Sequence, residues 1–182
     1  MVDDKELLAA IVLSEASIEG DEGIQAVLNT IVNRSGSNNL QSFINSATEE
    51  NAYEGYTLRE EKVLSDYVSK YKDTDDENLK KQWERTKELI NKAITGELVD
   101  ITGGATNYLN PDIQKAKNRA LPNWALWEKT SRKKIGSHLF GKPLTEDEVN
   151  AMEFGEAWKR GRSIMGEGSK FEWKERKQYT TD

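Results

Sequence analysis

The apolar positions near the N-terminus recur with the period of an α-helix. Asp3 or Asp4 is placed to cap a helix over about residues 3–18, and the apolar side chains that follow gather on one face. Four residues share this face at i, i+3, i+4 and i+7: Leu8, Ile11, Val12 and Glu15. Because such a face turns toward the protein interior, Glu15 is predicted to be a carboxyl group with apolar neighbours.

Glu15 has two interpretations at this point. Burial among apolar side chains raises the pKa of a carboxyl group, which is what a general acid needs near neutral pH. Alternatively, Glu15 lies at the margin of the stripe and meets solvent or a basic partner, since carboxyl groups with unusual surroundings also occur in structural networks. The helix alone does not decide between the two.

The same helical period continues through the first hundred residues. Further helices are predicted over about residues 21–35, 40–46, 57–71 and 76–95. Gly20 and Asp21 form a short turn after the first helix, so the first two helices are expected to pack as a hairpin. Gly36 and Gly96 are placed to end two of these helices. The last helix carries a buried stripe at helical spacing: Leu79, Trp83, Thr86, Ile90 and Ala93.

The pattern changes after about residue 100. Residues 101–111 form a glycine-opened, aromatic-bearing loop or short strand that a turn closes, and Pro143 ends the segment after it. From about residue 144 we predict a separate module with a helix from Thr145 to about Arg162. A linker marked by the glycines at 161, 166 and 168 then leads to a hairpin that carries Phe171, Trp173 and Tyr179. The fold class is therefore mainly α (α+β), with domains over 1–143 and 144–182.

Charge and composition exclude several kinds of site. The 26 Lys and Arg against 32 Asp and Glu give a formal net charge of −6, which disfavours nucleic acid as a partner because binding needs a basic face. The absence of cysteine excludes thiol catalysis, disulfides and Cys-based zinc sites, and the single histidine, His138, excludes a multi-His metal site. A carboxylate site stays open, but the acidic segment 73–76 lacks the glycine and distal glutamate of an EF-hand. We expect no metal and no cofactor.

The N-terminus determines how the chain is expected to reach its place of action. Residues 1–6 lack the basic start and the apolar run of a secretory signal, and no stretch approaches the length of a membrane span. We therefore expect the chain to be made in a cytoplasm without a signal peptide and not to insert into a membrane. If it acts outside a membrane, something else delivers it.

Four segments, in order, resemble the SleB-type cell-wall hydrolases, a family widespread in bacteria and phages. Together they cover roughly residues 7–141. The chain departs from the family pattern at Ser17-Ile18, where Arg-Gly is usual, and at Asn107, where phage members often have His. The segments are Leu13-Ser14-Glu15-Ala16 with Glu19 and Glu22-Gly23, Ala26-Val27 through Val32-Asn33-Arg34, Thr102-Gly103-Gly104-Ala105 through Tyr108 to Asn110-Pro111, and Pro122-Asn123-Trp124 followed by Ile135-Gly136-Ser137-His138-Leu139-Phe140.

The resemblance implies a lysozyme-like fold and cleavage of the β-1,4 bond between N-acetylmuramic acid and N-acetylglucosamine in peptidoglycan glycan strands. It implies that Glu15 is catalytic, and we favour a lytic transglycosylase in which one glutamate acts as acid and then as base, yielding a 1,6-anhydro product. A hydrolytic muramidase is the alternative. Glu19 and Glu22 are then supporting residues that pair with Arg34 or place charge near the start of the second helix.

Five residues are candidates for substrate binding: Tyr108, Asn107, Asn110, Trp124 and His138. Tyr108 and the two asparagines are placed to hydrogen-bond an acetamido group or the developing charge, and Trp124 and Trp127 to stack on sugar faces. Each has a structural alternative, because Asn-Pro closes turns, tyrosine and tryptophan rings pack in cores, and a lone histidine commonly serves to orient a partner.

The tail also has a resemblance. Phe154-Gly155-Glu156-Ala157-Trp158 and the later Phe171-Glu172-Trp173 and Tyr179-Thr180-Thr181 look like a short terminal module of many phage proteins, several of them virion components. This favours an endolysin or a virion-associated enzyme used in genome entry, and other virion proteins are the partners we expect for the tail. A non-catalytic virion structural or glycan-binding protein with a retained fold is the main alternative.

Overall fold

The computed structural model describes residues 2–49, 61–126, 133–174 and 177–181, with side chains in the second range from residue 65 onward. The chain divides into two compact units, Met1–Ile101 and Thr102–Asp182. Helices dominate and the sheets are small, which confirms the predicted mainly α (α+β) class. Trp127 and the predicted helix start at residues 57–60 lie outside the described residues.

The first unit is helical, and its helices fall close to the predicted ranges. They are α1 (Asp4–Ala16), α2 (Gly20–Ser35), α3 (Leu40–Ala47), α4 (Glu61–Lys72) and α5 (Glu77–Thr95). Asp3 caps α1 by accepting a hydrogen bond from the Lys5 amide, as predicted. Gly36 and Gly96 follow α2 and α5 in left-handed conformation, where glycine is favoured because it has no Cβ.

The middle of helix α1 is buried on all its faces rather than on one stripe. Every residue from Leu8 to Leu13 is buried, and Ala16 is buried as well. The reason is that α2, α3, α4 and α5 all pack against α1, so that its second half is enclosed by its neighbours. The predicted amphipathic pattern therefore describes only part of the environment of this helix.

The turn between α1 and α2 begins earlier than predicted. A 3₁₀ turn occupies Ser17–Glu19, and Gly20 follows with a φ of 70°. Gln82 on α5 fixes this turn, since its Nε2 donates a hydrogen bond of 2.8 Å to the carbonyl oxygen of Ser17. The chain thus reverses at residues 17–20, directly after Glu15.

The second unit contains a three-stranded antiparallel sheet in the order β1-β3-β2. Its elements are β1 (Asn107–Leu109), α6 (Pro111–Ala116), α7 (Asn123–Leu126), β2 (Lys133–Ile135) and β3 (His138–Gly141). In register, Tyr108 lies opposite Phe140 and Ile135 lies opposite His138. This pairing brings the glycine-opened segment and the segment with the single histidine side by side.

The tail is built from α8 (Glu146–Ala151), α9 (Phe154–Met165), β4 (Lys170–Glu172) and β5 (Gln178–Thr180). The predicted hairpin is confirmed as the antiparallel pair β4–β5. The prediction of one helix from Thr145 to Arg162 is wrong, because the backbone becomes extended at Met152, whose side chain is buried and whose carbonyl accepts a hydrogen bond from Trp173 Nε1. Gly161 lies inside α9 against Phe171 rather than in a linker.

One hydrophobic core holds the second unit together. Its buried members come from both sides of residue 143: Leu109, Leu121, Trp124, Ala125, Leu126, Met152, Ala157, Met165 and Phe171. The tail therefore shares its core with residues 102–143, and the predicted domain boundary at 143/144 stays a prediction. Among the described residues, no helix is both long and apolar enough to cross a membrane.

Candidate functional site

Glu15 lies in the last turn of α1, at the edge of the buried helix. Leu13 and Ala16 beside it are fully buried, whereas Glu15 keeps partial exposure. Its neighbour Ser14 donates a hydrogen bond of 2.7 Å from Oγ to the carbonyl oxygen of Ile11. Ser14 and Glu15 thus bring the C-terminal end of the helix to an accessible surface, and a reacting carboxyl group has to be accessible.

Tyr67 on α4 is a neighbour of Glu15 that the sequence reasoning missed. Burial raises the pKa of the Tyr67 phenol above its usual value, and the negative charge of Glu15 and the nearby Tyr71 raise it further. A hydrogen bond with the Ser14 side chain acts in the opposite direction. The Tyr67 ring also meets Tyr71 edge-on, with 5.7 Å between the ring centroids. Tyr67 is therefore a protonated hydroxyl beside Glu15 at neutral pH.

The supporting carboxylates Glu19 and Glu22 lie at the start of α2. Glu19 is the residue that precedes the helix, and Glu22 is exposed in the first turn. Arg34 lies in the last turn of the same helix, roughly 18 Å of helix rise away from Glu22. Glu22 therefore does not pair with Arg34, and the supporting roles of Glu19 and Glu22 stay predictions. The predicted placement of negative charge near the helix start agrees with the structure, and that end of the helix dipole favours it.

Close packing explains why a glycine occupies position 23. A Cβ at position 23 would collide with the Cβ of Glu19, because the first turn of α2 folds closely over the 3₁₀ turn. A Cβ is a fixed part of the side chain, so Glu19 could not move away without moving its backbone. The glycine of the Glu22-Gly23 pair thus allows the first turn of α2 to pack closely against the Glu19 side chain.

The second unit brings Tyr108 and His138 together. Their ring centroids are 5.2 Å apart in an edge-on arrangement, and Tyr108 stacks on Phe140 at 5.5 Å. His138 is only 9% exposed, so its ring is a packed member of this aromatic group. In the described parts of the chain, no three His, Cys, Asp or Glu side chains gather as a metal site would require.

The Asn110 side chain forms structural hydrogen bonds on both sides of its amide. Its Oδ1 caps α6 by accepting from the backbone amides of Asp112 and Ile113 at 3.0 and 3.2 Å. Its Nδ2 donates to Ser137 Oγ at 2.8 Å, which ties the helix start to the β2–β3 turn. These contacts agree with the turn-forming alternative for Asn110, and its contact with substrate stays a prediction.

Three of the predicted substrate-binding residues line one surface pocket in the second unit. Asn107, Tyr108 and Trp124 contribute to a cavity of about 550 Å³, and Asn107 and Trp124 also line an adjoining cavity of about 640 Å³. We call these two adjoining cavities the Trp124 groove. Its full set of shared lining residues is Asn107, Pro122, Trp124 and Glu172.

The tail supplies lining residues that the sequence reasoning did not identify. Glu172 of β4 and Gln178 of β5 both line the Trp124 groove. The sequence predicted the hairpin that carries Phe171 and Trp173, but nothing local in the sequence indicated which surface the hairpin meets.

Comparison with known proteins identifies the family. The model of the cell wall hydrolase family matches residues 18–141, which is more than half of the chain. The match includes Glu19, Glu22, Arg34 and the five predicted binding residues, and it begins three residues after Glu15. Neither a curated protein nor a solved structure matches. The chain belongs to the cell wall hydrolase family, and peptidoglycan is the substrate class that this membership supports.

Proposed function

We propose that this protein is a lytic transglycosylase that cleaves the β-1,4 bond between N-acetylmuramic acid and N-acetylglucosamine, with Glu15 as the catalytic acid and base. The observation that carries the proposal is the position of Glu15, at the partly exposed C-terminal end of α1 after its buried middle turns, and beside the protonated Tyr67. A carboxyl group in such a place combines access to substrate with a fixed orientation.

The proposed reaction needs one carboxyl group. Glu15 protonates the glycosidic oxygen as its bond to the muramic acid anomeric carbon breaks. The 6-hydroxyl of the same sugar then forms a bond to that carbon, and its proton returns to Glu15. No water is consumed and Glu15 ends as it began. Glu19 and Glu22, at the start of α2, are not required to react.

The Trp124 groove is the part of the second unit that we propose to contact the glycan. Asn107 offers an amide for the acetamido group, Tyr108 a hydroxyl, and Trp124 an apolar ring surface. His138 supports Tyr108 through their ring contact, and Asn110 ties the start of α6 to the β2–β3 turn.

We further propose that the protein acts on the cell wall during phage lysis or genome delivery. The resemblance of its tail to a terminal module of phage proteins supports this, with other virion proteins as partners of the tail. The place of action is then the periplasm or cell wall, reached from the host cytoplasm by a separate route or within the virion.

The experiment that tests the activity is mass spectrometry of purified peptidoglycan after digestion, with the wild-type chain beside Glu15→Gln. We expect muropeptides with 1,6-anhydro ends from the wild type and at least about 100-fold fewer from the variant, since a general acid contributes roughly 10²–10⁴ in rate. Glu22→Gln is the matched control and should retain activity. Reducing ends that still depend on Glu15 would replace transglycosylation by hydrolysis, as in a muramidase.

A non-catalytic glycan-binding or virion structural protein is the second candidate. The observation in its favour is that the family match starts after Glu15, and that Ser17-Ile18 departs from the family pattern with the Ile18 side chain 91% exposed. If neither the wild type nor Glu15→Gln releases soluble fragments from several peptidoglycan types at several pH values, the proposal of an enzyme is rejected in favour of this candidate.

A further inference from the structure

We propose that the C-terminal hairpin forms one wall of a glycan-binding site, in which Glu172 and Gln178 face Asn107 and Trp124 across the Trp124 groove. The ligand is a neutral, N-acetylated stretch of sugar. This inference deepens the proposed function and rests on it for the identity of the polymer. Positions 172 and 178 lie beyond the segment matched by the family, so this wall is an addition made by the tail.

The wall is fixed to the body of the second unit by backbone hydrogen bonds. The Leu121 amide donates to the Lys170 carbonyl at 2.9 Å, and the Glu172 amide donates to the Leu121 carbonyl at 2.7 Å. β4 thereby forms a parallel bridge with the chain directly before Pro122, which itself lines the groove. A hairpin attached in this way holds its side chains in constant position relative to Trp124, as a preorganised site requires.

The alternation of β4 aims Glu172 at the groove. Phe171 is fully buried in the core of the second unit, so its neighbours in the strand point to the opposite side. Gln178 is paired with Glu172 across the hairpin, and both side chains therefore project from the same face. The hairpin presents a carboxylate and an amide side by side.

The chemistry of the lining selects a neutral polar ligand. Asn107 and Gln178 supply amides that both donate and accept, and Glu172 accepts from hydroxyl groups. In the 550 Å³ cavity the positive charge of Arg119 offsets the negative charge of Glu172, so net charge favours neither an anion nor a cation there. In the 640 Å³ cavity Glu146 joins Glu172 without a basic residue among the described lining residues, which disfavours an anionic ligand. Both cavities lie within the roughly 300–1,000 Å³ of small-molecule sites. Sugars that carry hydroxyl and acetamido groups match these donors, acceptors and the Trp124 ring.

The test is calorimetric titration of the full chain with a neutral oligosaccharide of N-acetylglucosamine. Glu172→Gln and Gln178→Ala are the test variants. We expect each to weaken binding about 3- to 10-fold, because Gln178→Ala removes an amide and Glu172→Gln replaces a charged acceptor of hydroxyl hydrogen bonds by a weaker neutral one. Thr180→Ala, on the same hairpin but outside the groove lining, and Glu156→Gln, on the exposed surface of α9, are the matched controls and should bind as the wild type does.

Several results would overturn the inference. These are no binding by the wild type, equal binding by all the variants, and tighter binding by Glu172→Gln, which would indicate an acidic ligand. Each variant is checked for an unchanged thermal midpoint. Binding does not require Glu15, so loss of turnover in Glu15→Gln with retained oligosaccharide binding keeps both proposals. Turnover of peptidoglycan by a wild type that does not bind the oligosaccharide keeps the proposed function and removes this inference.

Discussion

Tyr67 is held by its surroundings in the form that can donate a hydrogen bond. Burial, the charge of Glu15 and the proximity of Tyr71 all disfavour the phenolate, and the hydrogen bond with Ser14 only partly offsets them. The residue therefore connects α4 to the end of α1, where Glu15 and Ser14 lie. Its spacing of four residues from Tyr71 was visible in the sequence, but which helix these rings meet depends on tertiary packing.

The raised pKa of Tyr67 predicts that the protein loses stability in alkali. A phenol that binds its proton more tightly in the folded state stabilises the fold below its unfolded pKa of about 10, and this contribution is lost as the pH rises above that value. Tyr67→Phe should cost about 1 kcal/mol at neutral pH through the lost hydrogen bond, and should show a smaller fall in stability between pH 7.5 and pH 10.5.

Urea unfolding followed by circular dichroism at the two pH values measures this difference. Tyr179→Phe, in the tail hairpin of the second unit, is the control and should retain the alkaline loss of the wild type. An identical alkaline loss in Tyr67→Phe and the wild type would contradict the prediction.

At the scale of elements, local sequence signals located the helices of the first unit well. Asp76 caps α5 by accepting from the amides of Asn78 and Leu79, and Gly96 ends it in left-handed conformation. Both signals act within a few residues, so they can be read without knowing the fold. The break between α8 and α9 could not be read in this way, because neither proline nor glycine stands at 152–153. It follows from the burial of Met152 and its hydrogen bond with Trp173.

Asn110 stabilises the start of α6, and two substitutions test how much its helix cap contributes to stability. Asn110→Ala removes the cap of α6 and the bond to Ser137, and should cost about 2 kcal/mol. Asn110→Asp keeps an oxygen cap, and the Ser137 hydroxyl can donate to its second oxygen, so it should lose less than about 1 kcal/mol. Thermal unfolding of both variants makes the comparison. Equal destabilisation by Ala and Asp would show that the cap is not what stabilises this segment.

At the scale of the whole molecule, the candidate site residues form two groups: those that sequence motifs identify and those that only the packing of distant segments identifies. Glu15, Asn107, Tyr108 and Trp124 came from short motifs, because each motif keeps its residues within one turn or loop of the chain. Tyr67, Glu172 and Gln178 are added by packing between segments far apart in sequence, as when β4 attaches to Leu121. No local pattern contains that information, and the predicted fold class alone does not specify which surfaces meet.

The shared core of the second unit predicts how the chain responds to truncation after residue 143. Removing 144–182 deletes Met152, Ala157, Met165 and Phe171 from the core and exposes the side chains of Leu121 and Trp124 that they cover. Loss of even one such ring, as in Phe171→Ala, should cost about 3–5 kcal/mol, so the remaining residues 102–143 should not stay folded. The helices of the first unit have a core of their own and should persist.

Hydrogen exchange followed by mass spectrometry measures both halves of this expectation in one experiment. Amides of β1 and β3 should lose their protection in the chain ending at 143, whereas amides of α1 and α2 should exchange as slowly as in the full chain. Phe171→Ala in the full-length protein should move protection in the same direction but less far. Full protection of β1 and β3 without the tail would mean that residues 102–143 form a stable core alone, and that 143/144 is a folding boundary as well as a boundary in the sequence.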